Sequence, residues 1–209
     1  MNHLPGHRPE ETLLQWAVAS RARSGESSSG DLHAVLPFEG GVLVAAIDGL
    51  GHGDEAALAA RTAVELLQQH PEDSVIGLLR HCHDGLLETR GVVMSLASFN
   101  SRDSTMTWVG VGNVEAVLLH PEGQAGPRSE LLLLRGGVVG YQLPPLVASV
   151  IPVGPGDALV LATDGIRNEF SAYVGAVDAP QACADRILMQ WGKESDDALV
   201  LVAKYRSDP

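Results

Sequence analysis

The stretch GVLVAAIDGLGHGDEAALAARTAVELLQ, residues 41–68, changes its period halfway along. Its first seven residues are apolar without alternation, which is how a strand reads when both of its faces are buried. After DGLGHG the period becomes helical: Ala57, Ala60, Val64 and Leu67 recur at helix spacing, and Pro71 ends the segment. A central strand therefore runs into Asp48 and then into a helix that starts within a turn of it.

The flanking sequence extends this pattern. Asp31 to Phe38 is a second short apolar run, joined to the first by Glu39-Gly40 as a hairpin. Thr12 to Arg23 reads as an earlier strand, and SGESSSG at 24–30 is turn chemistry throughout. Ser74 to Thr89 repeats the helical spacing with Val75, Leu79, Cys82 and Leu86, behind an N-cap in Asp73 or Ser74. VVMSLASF (92–99), STMTWVGVG (104–112) and VEAVLLH (114–120) read as a three-strand meander. ELLLLRG (130–136), SVIPV (149–153) and DALVLATDG (157–165) read as further strands, Asp178 to Trp191 as a last helix and Ala198 to Lys204 as a last strand. Nine or ten strands with about three helices, the strands pairing as sequence neighbours, predict an α+β fold of two antiparallel sheets flanked by helices. Residues 1–11 read as a flexible N-terminal tail and 12–209 as one domain.

Composition narrows the function. The chain has 209 residues and a net charge of -12. That surface repels phosphate backbones and anionic lipid, so neither nucleic acid nor membrane is an expected partner. Aromatic residues are 4% of the chain, too few for a base-stacking platform. No apolar run reaches the length of a spanning helix, and the polar N-terminus does not read as a signal peptide. Cys82 and Cys183 fit no zinc or redox spacing and read as buried thiols, which places the chain in the cytoplasm.

Four acidic positions share one property: each sits at the tip of an apolar strand. They are Asp31 in SGDLH, Asp48 in AAIDGLGHG, Asp164 in VLATDGI, and the pair Asp196-Asp197 in ESDDALVLV. Any one of them alone reads as a turn residue. Together they can converge at one end of a sandwich, where they would repel one another unless a hard divalent cation lay between them. Adjacent strand residues face opposite ways, so only one of Asp196 and Asp197 should point inward. His52, in GHG, is either a proton donor at such a site or a turn residue. His81 and His83, two apart on a helix, cannot grip one metal.

The ordered set SGD (29–31), DGLGHG (48–53), GVGN (110–113), PGD (155–157), ATDG (162–165) and DDALVLV (196–202) resembles the PP2C-type metal-dependent protein phosphatases. The bacterial branch of stress-response and sporulation regulators, the SpoIIE/RsbU/RsbX group, is the closer match. Within it, ETRGVVMSLASF (88–99) and the compact length look most like the stressosome feedback phosphatases. The resemblance implies a PP2C-like αββα sandwich and two Mn²⁺ or Mg²⁺ ions. It implies metal roles for Asp31, Asp48, the Gly49 carbonyl, Asp164 and Asp196 or Asp197. The implied reaction is hydrolysis of phosphoserine or phosphothreonine on regulatory proteins of the stressosome or anti-sigma antagonist type, by a metal-activated water. Asp48 and His52 would carry the chemistry. A catalytically silent binding module of the same fold in a sigma-factor pathway is the alternative. The arginine that grips phosphate in the eukaryotic members has no fixed counterpart here: Arg21 and Arg23 lie in the first strand, and the spacing to SGD does not fix either as its equivalent.

Overall fold

A computed structural model describes residues 13–26, 28–121, 127–177 and 179–206. The expected tail at 1–11 lies outside the described residues. The order is β1 (Leu14–Arg21), β2 (Asp31–Phe38), β3 (Gly41–Gly49), α1 (Asp54–Gln69), α2 (Val75–Gly85), β4 (Val92–Asn100), β5 (Thr105–Val111), β6 (Glu115–Leu119), β7 (Ser129–Leu131), β8 (Ser149–Pro152), β9 (Ala158–Ala162), α3 (Phe170–Tyr173), α4 (Pro180–Trp191) and β10 (Ala198–Tyr205). Two five-stranded antiparallel sheets result, β1-β10-β9-β6-β7 and β2-β3-β4-β5-β8. They pack face to face, with α1 and α2 outside one sheet and α4 outside the other.

The lack of alternation in β3 has a direct cause. Val42, Val44 and Ala46 enter the core between the sheets, while Leu43, Ala45 and Ile47 enter the core under α1 and α2. β10 divides the same way, Leu199 and Leu201 between the sheets and Val200 and Val202 under α4. Both faces of a central strand must therefore be apolar, and the sandwich has three apolar layers rather than one. α1 meets its sheet through Ala56, Ala59, Ala60 and Ala63, all buried, so the helix can lie close.

Three expectations need correction. Residues 114–120 do not continue the meander: β6 leaves β5 and pairs with β9 and β7 in the other sheet. An apolar pattern specifies burial and not the neighbouring strand. ELLLLRG keeps only its start in a strand: β7 ends at Leu131, and beyond it Leu132 is buried while Leu133 is 84% exposed. The described residues hold four helices rather than three, the extra one being the single turn α3, and α2 stops at Gly85 with Leu86 as its C-cap. Among the described residues no helix is long and apolar enough to cross a membrane.

Candidate active site

The strand tips that carry the acidic residues meet at one end of the sandwich. Asp31 opens β2 and Asp48 lies near the end of β3, and the two are direct partners in the ladder. Thr163 and Asp164 follow β9 in the other sheet. The Thr163 hydroxyl donates to Asp31 Oδ2 at 2.7 Å and accepts from the Leu199 N–H at 2.9 Å, which fixes one sheet's end to the other's.

The glycine after each of two aspartates is required by close backbone approach. A Cβ on Gly49 would lie 2.1 Å from the Ala56 carbonyl oxygen of α1. A Cβ on Gly165 would lie 1.7 Å from the Asp197 carbonyl oxygen. Each Asp-Gly pair is thus where a carboxylate-bearing strand end is pressed against another segment of backbone.

Asp196 and Asp197 have opposite surroundings. Asp197 is 5% exposed, and its two oxygens accept from the backbone N–H groups of Arg23 at 2.8 Å and Gly30 at 2.7 Å. It clamps the loop before β2 to the start of β10. Asp196 instead faces an open cleft of about 570 Å³, whose walls also include Asp48, Asp164, His52, Arg23 and Asn113. Asp31 and Gly49 sit just behind that wall, through the β2–β3 ladder and the next residue of β3.

Burial, followed by the neighbouring carboxylates, pushes Asp48 up to about 8. Asp31 is raised to about 7, again mainly by burial, with Thr163 opposing and Asp197, Asp164 and Asp196 adding to it. Asp164 is raised by burial and by Asp196, against Lys193 and the Asn113 amide. Among the described residues Asp48's carboxylate receives no hydrogen bond. Uncompensated carboxylates of this kind are the oxygen donor set that a hard divalent cation prefers. Among the described residues no three carboxylate, imidazole or thiol groups already close around one point. A Mg²⁺-like ion asks for less, commonly one or two carboxylates with water completing its shell. The residues present therefore fit a hard divalent cation.

Three contributors, Asn113, Lys193 and Glu26, escape a sequence reading, and the choice between Arg21 and Arg23 needs the fold. Asn113 donates to Asp164 Oδ2 at 2.8 Å, and the Lys193 ammonium donates to the Asp164 carbonyl. Arg23 lines the cleft, whereas the Arg21 guanidinium donates to the Lys193 carbonyl at 2.8 Å. Glu26 lies 2.7 Å from His52. Each side chain reaches its partner across the sandwich or between two loops, and no local spacing encodes that. A smaller cleft of about 320 Å³ at the opposite end, beside Phe38, Asp73 and Arg102, holds none of the strand-tip carboxylates.

Comparison with known proteins gives the chain its family and its fold. The stage II sporulation protein E (SpoIIE) family model matches residues 39–206. Phosphoserine phosphatase RsbX of Bacillus subtilis (strain 168) is 25% identical over 116 residues, 56% of this chain and 58% of that protein. The matched region thus spans little more than half of that relative's length. A solved chain from work on the bacterial stressosome, a modular system that has been adapted to control secondary messenger signaling, is 29% identical, with a TM-score of 0.80 over 91% of this chain and 99% of that one. RsbX in complex with magnesium superposes with a TM-score of 0.81 at 20% identity, covering 92% of this chain and 95% of that one. The αββα arrangement of two antiparallel sheets is the PP2C fold.

Proposed function

Because the chain belongs to the SpoIIE family, we propose that it is a metal-dependent protein serine/threonine phosphatase acting on phosphorylated regulators. One observation carries the reading: Asp48, Asp164 and Asp196 line a single open cleft, and burial and the neighbouring carboxylates raise Asp48 and Asp164. Such a cleft repels a phosphoryl dianion, and only cations bound among the carboxylates reverse its sign. Asp48, Asp164, Asp196 and the Gly49 carbonyl would hold a pair of Mn²⁺ or Mg²⁺ ions, with Asp31 completing the set from behind. Asp197 keeps its place as the loop clamp. Bound there, the ions supply an activated water and offset charge on the phosphoryl oxygens.

The protein's own groups do the rest. Arg23 lies in the cleft wall, where its guanidinium meets the phosphate oxygens of the substrate. Asn113 and Lys193 hold Asp164 by its side chain and its carbonyl. His52, at the rim, faces the serine or threonine oxygen that leaves and returns a proton to it. Thr163 keeps Asp31 and Asp48 in register with the β9 end.

The substrate class is supported by the relatives. RsbX is a phosphoserine phosphatase, and the 29% identical solved chain comes from stressosome work. We assign this chain to phosphoserine or phosphothreonine on stressosome or anti-sigma antagonist regulators in a sigma-factor pathway, in the cytoplasm. The test is turnover of a phosphoserine peptide with added Mn²⁺, with chelator, and with Mn²⁺ restored. Activity lost on chelation and recovered on restoring the metal is expected. Turnover that survives thorough chelation would overturn the metal-dependent reading, and a chain that binds Mn²⁺ yet hydrolyses nothing would be the silent module.

A further inference from the structure

Glu26 and His52 come from separate loops, one between β1 and β2 and the other between β3 and α1. They meet at the rim of the cleft, with Glu26 Oε1 2.7 Å from His52 Nδ1. The side chain of His52 is 58% exposed and that of Glu26 only 22%. Glu26 Oε2 is buried without a protein partner among the described residues, beside Gly53, where a Cβ would lie 3.4 Å from it. Burying a carboxylate oxygen with nothing to bond is unfavourable, and a solubilising surface glutamate would not do it. An ionised carboxylate can only accept, so the proton at this contact is on Nδ1 and the exposed Nε2 is the ring atom left for a substrate.

We propose that Glu26 is a positioning residue for His52. It holds the ring with Nδ1 engaged and Nε2–H turned to the cleft, and it offsets the charge of the protonated ring, as a carboxylate does behind a catalytic histidine. The inference rests on the phosphatase reading above. As the phosphorus–oxygen bond of the phosphoserine breaks, its electron pair stays on the seryl oxygen, which takes the Nε2 proton. The incoming water's oxygen ends on phosphate with one of its protons, the other passes to solvent, and the neutral ring regains a proton from solvent. Glu26 exchanges no proton with the substrate in this sequence. This device matters for an alkyl ester, whose alkoxide leaves poorly. It matters little for p-nitrophenyl phosphate, whose phenolate leaves without help.

The experiment compares the two esters with the Mn²⁺-loaded full chain. His52→Gln should lower kcat on a phosphoserine peptide about 10²-fold. Glu26→Ala should lower it roughly tenfold, and Glu26→Gln, which keeps an acceptor but not the charge, should fall between parent and alanine. On p-nitrophenyl phosphate every variant should lose far less. In a His52→Gln background Glu26→Ala should add nothing, since it acts through the ring. Independently of turnover, long-range ¹H–¹⁵N spectra of the metal-free chain should show His52 with its proton on Nδ1, and Glu26→Ala should scramble that preference. Equal losses on both esters, additive losses in the double variant, or a tautomer indifferent to Glu26 would each overturn the proposal. If the parent hydrolyses neither ester, the phosphatase reading fails, and the proposed role for Glu26 fails with it.

Discussion

Asp157 and Asp48 are both strand-tip aspartates beside a glycine, at opposite ends of the sandwich. Asp157, before β9, is buried, and each of its oxygens has a partner: His120 Nδ1 at 2.9 Å and the Gly154 N–H at 2.7 Å. Asp48, near the end of β3, faces Asp31 across the ladder and other carboxylates across the cleft, with no donor among the described residues. A buried carboxylate with donors on both oxygens holds a fold together, whereas one surrounded by its own kind is tolerated for what it binds.

The contrast can be broken by exchanging each residue. Asp48→Asn should cost roughly 10³-fold in kcat/KM on a phosphoserine peptide and abolish thermal stabilisation by Mn²⁺. In chelator at neutral pH the same variant should melt a few degrees higher than the parent, because it removes a mutually repelled carboxyl. Asp157→Ala should do the reverse. It strands the Gly154 N–H and His120, at about 2–3 kcal/mol, which corresponds to melting lower by on the order of 5–10 °C. Its Mn²⁺-stabilisation should persist. A scan of both variants with and without metal decides the matter; if both merely destabilise, the two ends do not differ as described.

Asp196 and Asp197 sharpen the same comparison within two adjacent residues. Asp197→Asn should lower stability by about 2–3 kcal/mol by spoiling two charge-assisted bonds to backbone N–H groups. Asp196→Asn should leave stability nearly untouched and weaken Mn²⁺ binding. Calorimetric titration with the ion and urea unfolding separate the two effects. A stability loss at 196 and a binding loss at 197 would exchange the roles.

Much of this organisation is legible in sequence, for a physical reason. Residues 41–47 lack alternation because alternate side chains fill two different apolar layers, so the strand's central place can be read from one line of sequence. The acidic tips are legible because a charge directly after such a strand needs an explanation. The SGD-to-DD set adds the PP2C family, which the SpoIIE match to 39–206 bears out. What is not legible is partnership across sequence distance. β6 joins the second sheet although its residues look like the continuation of a meander. Asp196 and Asp197 are chemically identical, and only the position of the Arg23 and Gly30 N–H groups separates them. Asn113, Lys193 and Glu26 are ordinary polar loop residues until the fold brings each to its partner.

The pH dependence of stability is the most direct measure of repulsion at the acidic end. Asp31 and Asp48 are raised from 3.8 to about 7 and about 8 in the folded chain. The folded state therefore holds protons that the unfolded state has already released. Stability is fullest below the unfolded value and falls as pH rises through the folded ones, at a slope no steeper than about 1.4 kcal/mol per pH unit for each carboxyl. In chelator, urea unfolding should show declining stability between about pH 4 and pH 8, then a levelling. Saturating Mn²⁺ should flatten or invert that decline, because the ion binds the ionised carboxylates and competes with protons for them. Asp48→Asn should remove a large part of the slope, and Asp157→Asn should leave it in place. A metal-free stability curve flat across this range would mean the carboxylates are compensated by something other than metal, and the difference between the two ends of the sandwich would lose its electrostatic basis.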